Sequence, residues 1–225
     1  PDHRDASDHA GSVSISDQRL LLLPVRSLKG TFAWVTSPLI LLRLRRDCEN
    51  ATVPGIPDAS SIPVPDSEET CLVPNGESAL LLKGKSIVLE DLDLSARPDP
   101  KTARWAVWLA EQVFPGDEAW QQMIRARLCV VHDDVLSFLL DTATEVFSRV
   151  RLLDDVKTVA DGGLWYEEAL PSETILSGLV SAVPVRAQPA EVFEVIRGLV
   201  SKPMQLGGDA TTGRGLCRLR MVEVG

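Results

Sequence analysis

The sequence predicts an α+β fold with helices packed on one face of a sheet. Short apolar runs of strand length fill the first part of the chain and recur near its end. Between them, over about 102–150, apolar residues repeat at helical spacing. Gly and Pro separate the two kinds of segment, and strands interleaved with helices favour a mixed sheet covered by helices. At 225 residues, one domain over 1–225 carrying insertions is the simplest organisation.

Residues 1–11 are polar and rich in Asp and His, and read as a linker or loop. Residues 19–25 and 31–36 are strand-length apolar runs. Residues 38–44 read as a short helix running to a basic end at Arg45 and Arg46. The prolines at 54, 57, 63, 65 and 74, set among Ser, Asp and Glu, predict a mobile acidic insertion over about 47–78. Residues 79–82 and 86–89, joined by Lys83-Gly84-Lys85, predict a β-hairpin.

A helical region over about 102–150 follows. Residues 102–114 place Trp105, Trp108, Leu109 and Val113 on one face. Residues 117–130 do the same with Trp120, Ile124 and Leu128, and 134–149 with Phe138, Leu139 and Val146, capped by Asp133 or Asp134. Tryptophans at helical spacing beside Leu and Val read as core, in preference to a base-stacking platform. In the tail, 174–185 reads as one long strand, 189–200 as an amphipathic helix with Pro189 in its first turn, and 216–224 as a closing strand.

Composition narrows the function classes. The longest apolar runs are far shorter than the ~20 residues of a membrane span, and the polar opening has no signal-peptide core, so a cytoplasmic location is expected. Cys48, Cys71, Cys129 and Cys217 are scattered without a Cys-x-x-Cys pair, which argues against a zinc site or a disulfide framework. The net charge of −9 argues against nucleic acid until its distribution is considered. From 18 to 46 there are six basic residues, Arg19, Arg26, Lys29, Arg43, Arg45 and Arg46, and no acid. From 202 to 220, Lys202, Arg214, Arg218 and Arg220 outweigh Asp209. Basic segments flanking an acidic insert permit a basic groove on an acidic body.

Three constellations could carry chemistry. Gly207-Gly208-Asp209-Ala210-Thr211-Thr212-Gly213-Arg214-Gly215 could bring backbone N–H groups to a phosphate, with Arg214 adding a charged fork. It is a near miss to a P-loop: Arg214 replaces lysine, Gly215 stands at the metal-binding hydroxyl position, and no helix follows. A nucleotide-binding enzyme using Gly208 to Gly215 therefore fails on context. In the run from Asp161 to Pro171, Trp165 and Tyr166 could stack on bases. Glu167 and Glu168 could serve a metal-dependent nuclease, although consecutive residues on a strand face opposite ways. His3 and His9 among Asp2, Asp5 and Asp8 read as a flexible acidic tip, and His132 precedes a helix start without an obvious partner.

The run from Ser14 to Pro38, with Pro24-Val25-Arg26-Ser27-Leu28-Lys29-Gly30 inside it and Val35-Thr36-Ser37-Pro38 at its end, resembles one family closely. That family is the backbone subunit of the type III-B CRISPR effector, the fourth protein of the Cmr complex, within the RAMP superfamily. The run from Asp161 to Pro171, with its Trp165-Tyr166-Glu167-Glu168, and the glycine-rich loop from Gln205 to Gly215 resemble two further family segments in the same order. The resemblance implies an RRM-like, ferredoxin-like RAMP fold with helical and loop insertions and a β-hairpin thumb over about 155–172. It implies copies stacked along a guide crRNA, other Cmr-type subunits as partners, target RNA positioned for cleavage, and a role in antiviral defence. RNA would be read through backbone and shape, with pairing left to the guide.

For guide contacts the reading singles out Arg26, Ser27, Lys29 and Arg214, with Gly207, Gly208 and Gly213 giving backbone access. For the thumb and target RNA it singles out Trp165, Tyr166 and Glu167. Family members cut target RNA as endoribonucleases with a divalent metal, magnesium or manganese, and an aspartate in an N-terminal glycine-rich loop. No such loop precedes Asp8-His9-Ala10-Gly11, so catalytic residues are left unassigned and Asp17, in a different motif, is no substitute. Ala169 stands where many relatives carry tyrosine, which weakens a catalytic role for Glu167 or Glu168. The rival from another class is a non-catalytic scaffold whose Trp and Leu faces serve protein–protein packing.

Overall fold

The computed structural model describes residues 11–222 apart from 154, 156, 157 and 186. The Asp2, His3, Asp5, Asp8 and His9 group lies outside the described residues. The chain forms two compact units, a larger one of residues 20–46 and 55–176 and a smaller one of 1–19, 47–54 and 177–225.

In chain order the elements are β1 (Val13–Ile15), β2 (Arg19–Arg26), β3 (Phe32–Thr36), α1 (Pro38–Asn50), β4 (Thr70–Val73), β5 (Ser86–Leu89) and β6 (Leu92–Pro98). Then come α2 (Pro100–Val113), α3 (Glu118–Arg127), β7 (Leu128–Val130), α4 (Asp133–Thr142), β8 (Glu145–Leu152) and β9 (Val159–Ala169). The last are β10 (Ile175–Ser177), β11 (Val180–Ala182), α5 (Pro189–Val200), β12 (Met204–Gln205) and β13 (Leu216–Cys217).

A seven-stranded mixed sheet, ordered β10-β2-β3-β7-β4-β6-β5, dominates the larger unit. β2 and β3 form a hairpin with Leu23 opposite Val35 and Arg26 opposite Phe32, and β3 runs parallel to β7. One face of the sheet carries Leu23, Val35, Cys71, Ile87 and Cys129, packed with Leu136 and Leu139 of α4. On the other face Trp34 meets Phe114 and Trp120, each 6.3 Å away between ring centroids. Helices thus cover both faces, not one. The physical reason is legible in β2, where Leu21 to Val25 are all buried: an uninterrupted apolar run needs a layer on each side.

Local capping explains where the helices begin. Asp99 is the N-cap of α2, accepting from the Thr102 amide (2.6 Å) and hydroxyl (2.8 Å), with Pro100 in the first turn. Asp117 caps α3 through the Trp120 amide (3.2 Å). Trp105 and Trp108 are core, as their spacing predicts, and Trp120 is half-buried. Trp105 is fully buried with Nε1 donating to the Ser61 carbonyl (2.9 Å), and Trp120 stacks on Phe114 at 5.1 Å.

Several elements differ from the sequence reading. The acidic insertion ends early: Thr70–Val73 is a fully buried central strand, and Ser61, Ile62 and Pro63 are buried as well. Pro63, Pro65 and Pro74 are buried in docked chain, whereas Pro54 is exposed. The Lys83-Gly84 turn forms, with both residues at positive φ, but its first arm makes only the bridge Leu82↔Ser86. The hairpin there is β5–β6. Leu128–Val130 leaves the second helix to become β7, buried at every position. The third helix stops at Thr142, and Val146, Phe147 and Val150 go into strand β8, where β-branched and aromatic side chains are favoured. The tail strand breaks at Gly178 into β10 and β11, and the closing strand is confined to Leu216–Cys217 among the described residues.

Candidate nucleic-acid interface

The first part of the candidate interface is the turn between β2 and β3. Ser27 N–H donates to the Thr31 carbonyl (3.1 Å), and both Gly30 (φ +83°) and Thr31 (φ +74°) sit in the left-handed region. An added Cβ at Gly30 would lie 3.0 Å from the Ala79 carbonyl oxygen and 3.2 Å from a Leu80 methyl. Glycine is therefore demanded here by the turn's own packing. The turn lies against the segment 79–90: Leu28 N–H donates to Val88, Glu90 N–H to Arg26, and Lys29 Nζ to the Leu81 carbonyl at 2.8 Å.

What this turn offers to solvent is narrower than the sequence suggests. Arg26 holds Glu90 at 3.2 Å, yet three quarters of its side chain (75%) is exposed. Lys29 is exposed with one of its three donors committed to Leu81. Ser27 is only 6% exposed, and its hydroxyl is buried in the turn without a hydrogen-bond partner among the described residues. Arg127, in the last turn of α3, supports the turn from below by donating to the Gly30 carbonyl (3.0 Å) with its guanidinium 6.0 Å from the Phe32 ring. No pattern in the sequence singles it out, because the contact joins distant segments.

The second part is the β8–β9 hairpin, whose outgoing strand β9 lies in the span expected for the thumb, about 155–172, while its incoming strand β8 precedes that span. It pairs antiparallel from Glu145↔Ala169 to Arg149↔Trp165 and Val150↔Leu164, with an irregularity before Leu152↔Val159. Its surface is unusually apolar for an exposed element: Val146, Leu164, Trp165 and Tyr166 are all exposed, Tyr166 at 71%. Glu167 accepts from Trp165 Nε1 (2.9 Å) and from Arg149 Nε (2.8 Å). Glu168 instead accepts from the Thr144 hydroxyl (2.6 Å). The two carboxylates are held by different partners, as alternation along a strand requires, and do not converge on a common ion.

The third part lies in the smaller unit. β12 pairs with β13, Leu206 N–H donates to Gly215 (2.8 Å), and Gln205 Nε2 donates to the Arg214 carbonyl (2.7 Å). Between them, Ala210–Thr212 makes a single 3-10 turn, bounded by Asp209 and Gly213 in the left-handed region. No helix follows, so the P-loop reading is dropped. The glycines divide by role. At Gly215 (φ +71°) a Cβ would overlap the Leu206 carbonyl oxygen, whereas at Gly207, Gly208 and Gly213 it would meet nothing within 4 Å.

A scan against family models matches residues 4–218 to the RAMP superfamily. The chain belongs to the RAMP superfamily. Within it, the chain is homologous to Cmr4, a subunit of the type III-B Cmr CRISPR effector complex. It is 34% identical over 228 residues to the CRISPR system Cmr endoribonuclease Cmr4 of Pyrococcus furiosus, spanning all of this chain and 74% of that protein. The crystal structure of oligomeric Cmr4 from the same organism superposes with a TM-score of 0.70 at 29% identity, over 96% of this chain and 76% of that one. The fold alone is shared with the type III-B Cmr-beta cryo-EM structure bound to cognate target RNA, at TM-score 0.69 and 18% identity over 94% and 70% of the two chains. The mixed α+β RAMP architecture with its central sheet and helical insertions is thus that of the Cmr4 structures.

The described cysteines are all free. Burial, helped by Asp47, pushes the Cys48 thiol up to about 11. Hydrogen bonding with Cys71, added to burial, raises that of Cys129 well above the usual thiol range. His132, unpartnered in the sequence reading, is the N-cap of α4, with Nδ1 accepting from the Asp134 amide at 3.3 Å.

Proposed function

We propose that this RAMP protein is a guide-RNA-binding backbone subunit of a type III-B RNA-targeting effector. It stacks in several copies along the crRNA, beside other Cmr-type subunits, and presents target RNA for cutting in cytoplasmic antiviral defence. The observation that carries this is the β8–β9 hairpin, which leaves Trp165 and Tyr166 outside the core. Exposed aromatic faces on an extended ribbon suit stacking against bases, each such contact contributing about 1–3 kcal/mol. Trp165 is aimed by Glu167, which Arg149 holds in turn, so Glu167 acts as a positioning residue.

Backbone recognition of the guide falls to Arg26 and Lys29 on the β2–β3 turn, and to Arg214 with Gly207, Gly208 and Gly213 on the glycine-rich loop. Ser27 contributes to the shape of the turn. Cleavage of target RNA is the finer part of the proposal. A magnesium or manganese ion would supply a metal-activated nucleophile and stabilise charge on the phosphate. Glu167 and Glu168 do not suit such an ion, being turned to Arg149, Trp165 and Thr144. No catalytic step is assigned to them.

The test is crRNA retention by the reconstituted complex as salt is raised. Phosphate recognition by Arg26 and Lys29 predicts that replacing both with alanine weakens binding for all guide sequences. The log–log salt slope should flatten by about 0.7 for each phosphate no longer neutralised. Binding that is insensitive to salt, and unchanged in the double variant, would leave only the protein–protein scaffold reading.

A further inference from the structure

Among the described residues, one group of metal-ligating side chains stands apart from the turn, hairpin and loop assigned to RNA. Glu68, His132 and Asp134 each offer a ligand atom, and these atoms lie within 4.8 Å of one another. Their meeting follows from the sheet. β4 and β7 are antiparallel neighbours with Leu72 opposite Val130, so the chain just before β4 runs beside the chain just after β7. Glu68 stands on the first and His132 on the second. α4 then brings Asp134 back towards the imidazole.

The chemistry is that of a cation site. Nδ1 of His132 accepts the Asp134 N–H, and an imidazole nitrogen that offers its lone pair in this way is the kind of atom that ligates metals. That hydrogen bond, at 3.3 Å, is long, and an ion can displace it at small cost. Nδ1 lies 3.4 Å from Asp134 Oδ2. Two ligands ~2.1 Å from a tetrahedral ion are separated by about 3.4 Å, so this pair already has the required spacing. Glu68 is exposed, and its carboxylate lies within 4.8 Å of both other ligand atoms. The N-terminus of α4 opposes a cation with about half a positive charge, but Glu68, Asp133 and Asp134 reverse the local sign. Asp133 itself is engaged elsewhere, accepting from the Leu39 amide (2.9 Å).

We propose that Glu68, His132 and Asp134 bind one divalent transition-metal ion of the zinc or cobalt class, tying the segment before β4 to the start of α4. One imidazole with two carboxylates suits such an ion, whereas magnesium prefers oxygen ligands and water throughout. The ion is separate from any that serves RNA cleavage, since its ligands include none of the residues assigned to RNA.

The experiment uses the chain with His3→Ala and His9→Ala, which leaves His132 as the only histidine of the original three. Co²⁺ is titrated, with visible absorption and the His132 imidazole proton resonances followed together, and Zn²⁺ is then added to compete. The expected result is one equivalent bound, His132 resonances shifted or broadened in step with absorbance, and displacement by Zn²⁺. Glu68→Gln and Asp134→Asn, at exposed positions, should each weaken binding at least tenfold while leaving the circular dichroism spectrum unchanged. Co²⁺ that binds without perturbing His132, that fails to bind at millimolar concentration, or that binds both variants as tightly as the parent would overturn the proposal.

Discussion

Gly208 and Gly215 belong to the same loop, and replacing each with alanine separates a glycine kept for a ligand from one kept for the fold. At Gly215 the backbone is left-handed (φ +71°), and an added Cβ would overlap the Leu206 carbonyl oxygen. The left-handed conformation costs an alanine roughly 1–2 kcal/mol. Losing the Leu206–Gly215 hydrogen bond adds about 1 kcal/mol, so Gly215→Ala should loosen the β12–β13 hairpin by about 2–3 kcal/mol. At Gly208 the backbone is outside the left-handed region and a Cβ meets nothing within 4 Å, so Gly208→Ala should change stability by less than about 0.5 kcal/mol. If backbone N–H groups of this loop approach a guide phosphate, the new methyl stands in the way. Loss of one charge-assisted hydrogen bond of about 1.5–3 kcal/mol then weakens crRNA binding roughly tenfold or more. Hydrogen exchange of residues 204–217 reads the first effect, and crRNA binding by the reconstituted complex at fixed salt reads the second. A Gly208→Ala variant with parental stability and parental crRNA affinity would refute phosphate recognition by this loop.

Asp99→Ala removes the acceptor for the amide and hydroxyl of the fully buried Thr102, and should cost about 2–4 kcal/mol in urea denaturation. Asp99→Asn, which keeps an acceptor, should recover most of it. Glu167→Ala should raise hydrogen exchange in β8 and β9 by freeing Arg149 and Trp165, whereas Glu168→Ala should leave target cleavage by the reconstituted complex intact. Because the Cys48 thiol titrates only near pH 11 and that of Cys129 is also raised, both should resist iodoacetamide at pH 8 in the folded state. Cys217, partly exposed, should be modified first, as peptide mass mapping would show.

The readable parts of this chain are those in which local pattern and tertiary demand agree. α2 is legible over most of its length from the Trp105–Trp108–Leu109 face, and only its start, set by Asp99 and Pro100, lies two residues before the predicted one. Thr70–Val73 is not, since a four-residue buried strand flanked by Pro65 and Pro74 looks like the proline-rich loop around it. The span 134–149 misleads for another reason: Phe138, Leu139 and Val146 fit helical spacing, but pairing with β9 claims the residues from Glu145 onward. At the candidate site, Arg26, Lys29 and the Trp165-Tyr166 pair are legible as exposed chemistry. The burial of Ser27, the support from Arg127 and the clamp on Glu167 are not, because each depends on partners brought together only by folding. Glu68 and His132 meet only through the β4–β7 pairing, which no spacing in the sequence encodes.

The β8–β9 hairpin is attached at both of its roots. On the incoming side only Ala143 and Thr144 separate α4 from β8. Ala143 is buried, and Thr144 grips Glu168 on the opposite strand. On the outgoing side the indole N–H of Trp34, itself fully buried, donates to the Glu173 carbonyl (3.0 Å) just beyond β9. Mechanically the hairpin, a two-stranded sheet of its own, is a cantilever held at its roots. A load at its tip is passed through these contacts to the Trp34–Phe114–Trp120 stack and the α4 layer. The direction of the tip is therefore set by core packing. A cavity cut far from the hairpin, as by Trp34→Ala, would misalign it before the fold itself was lost.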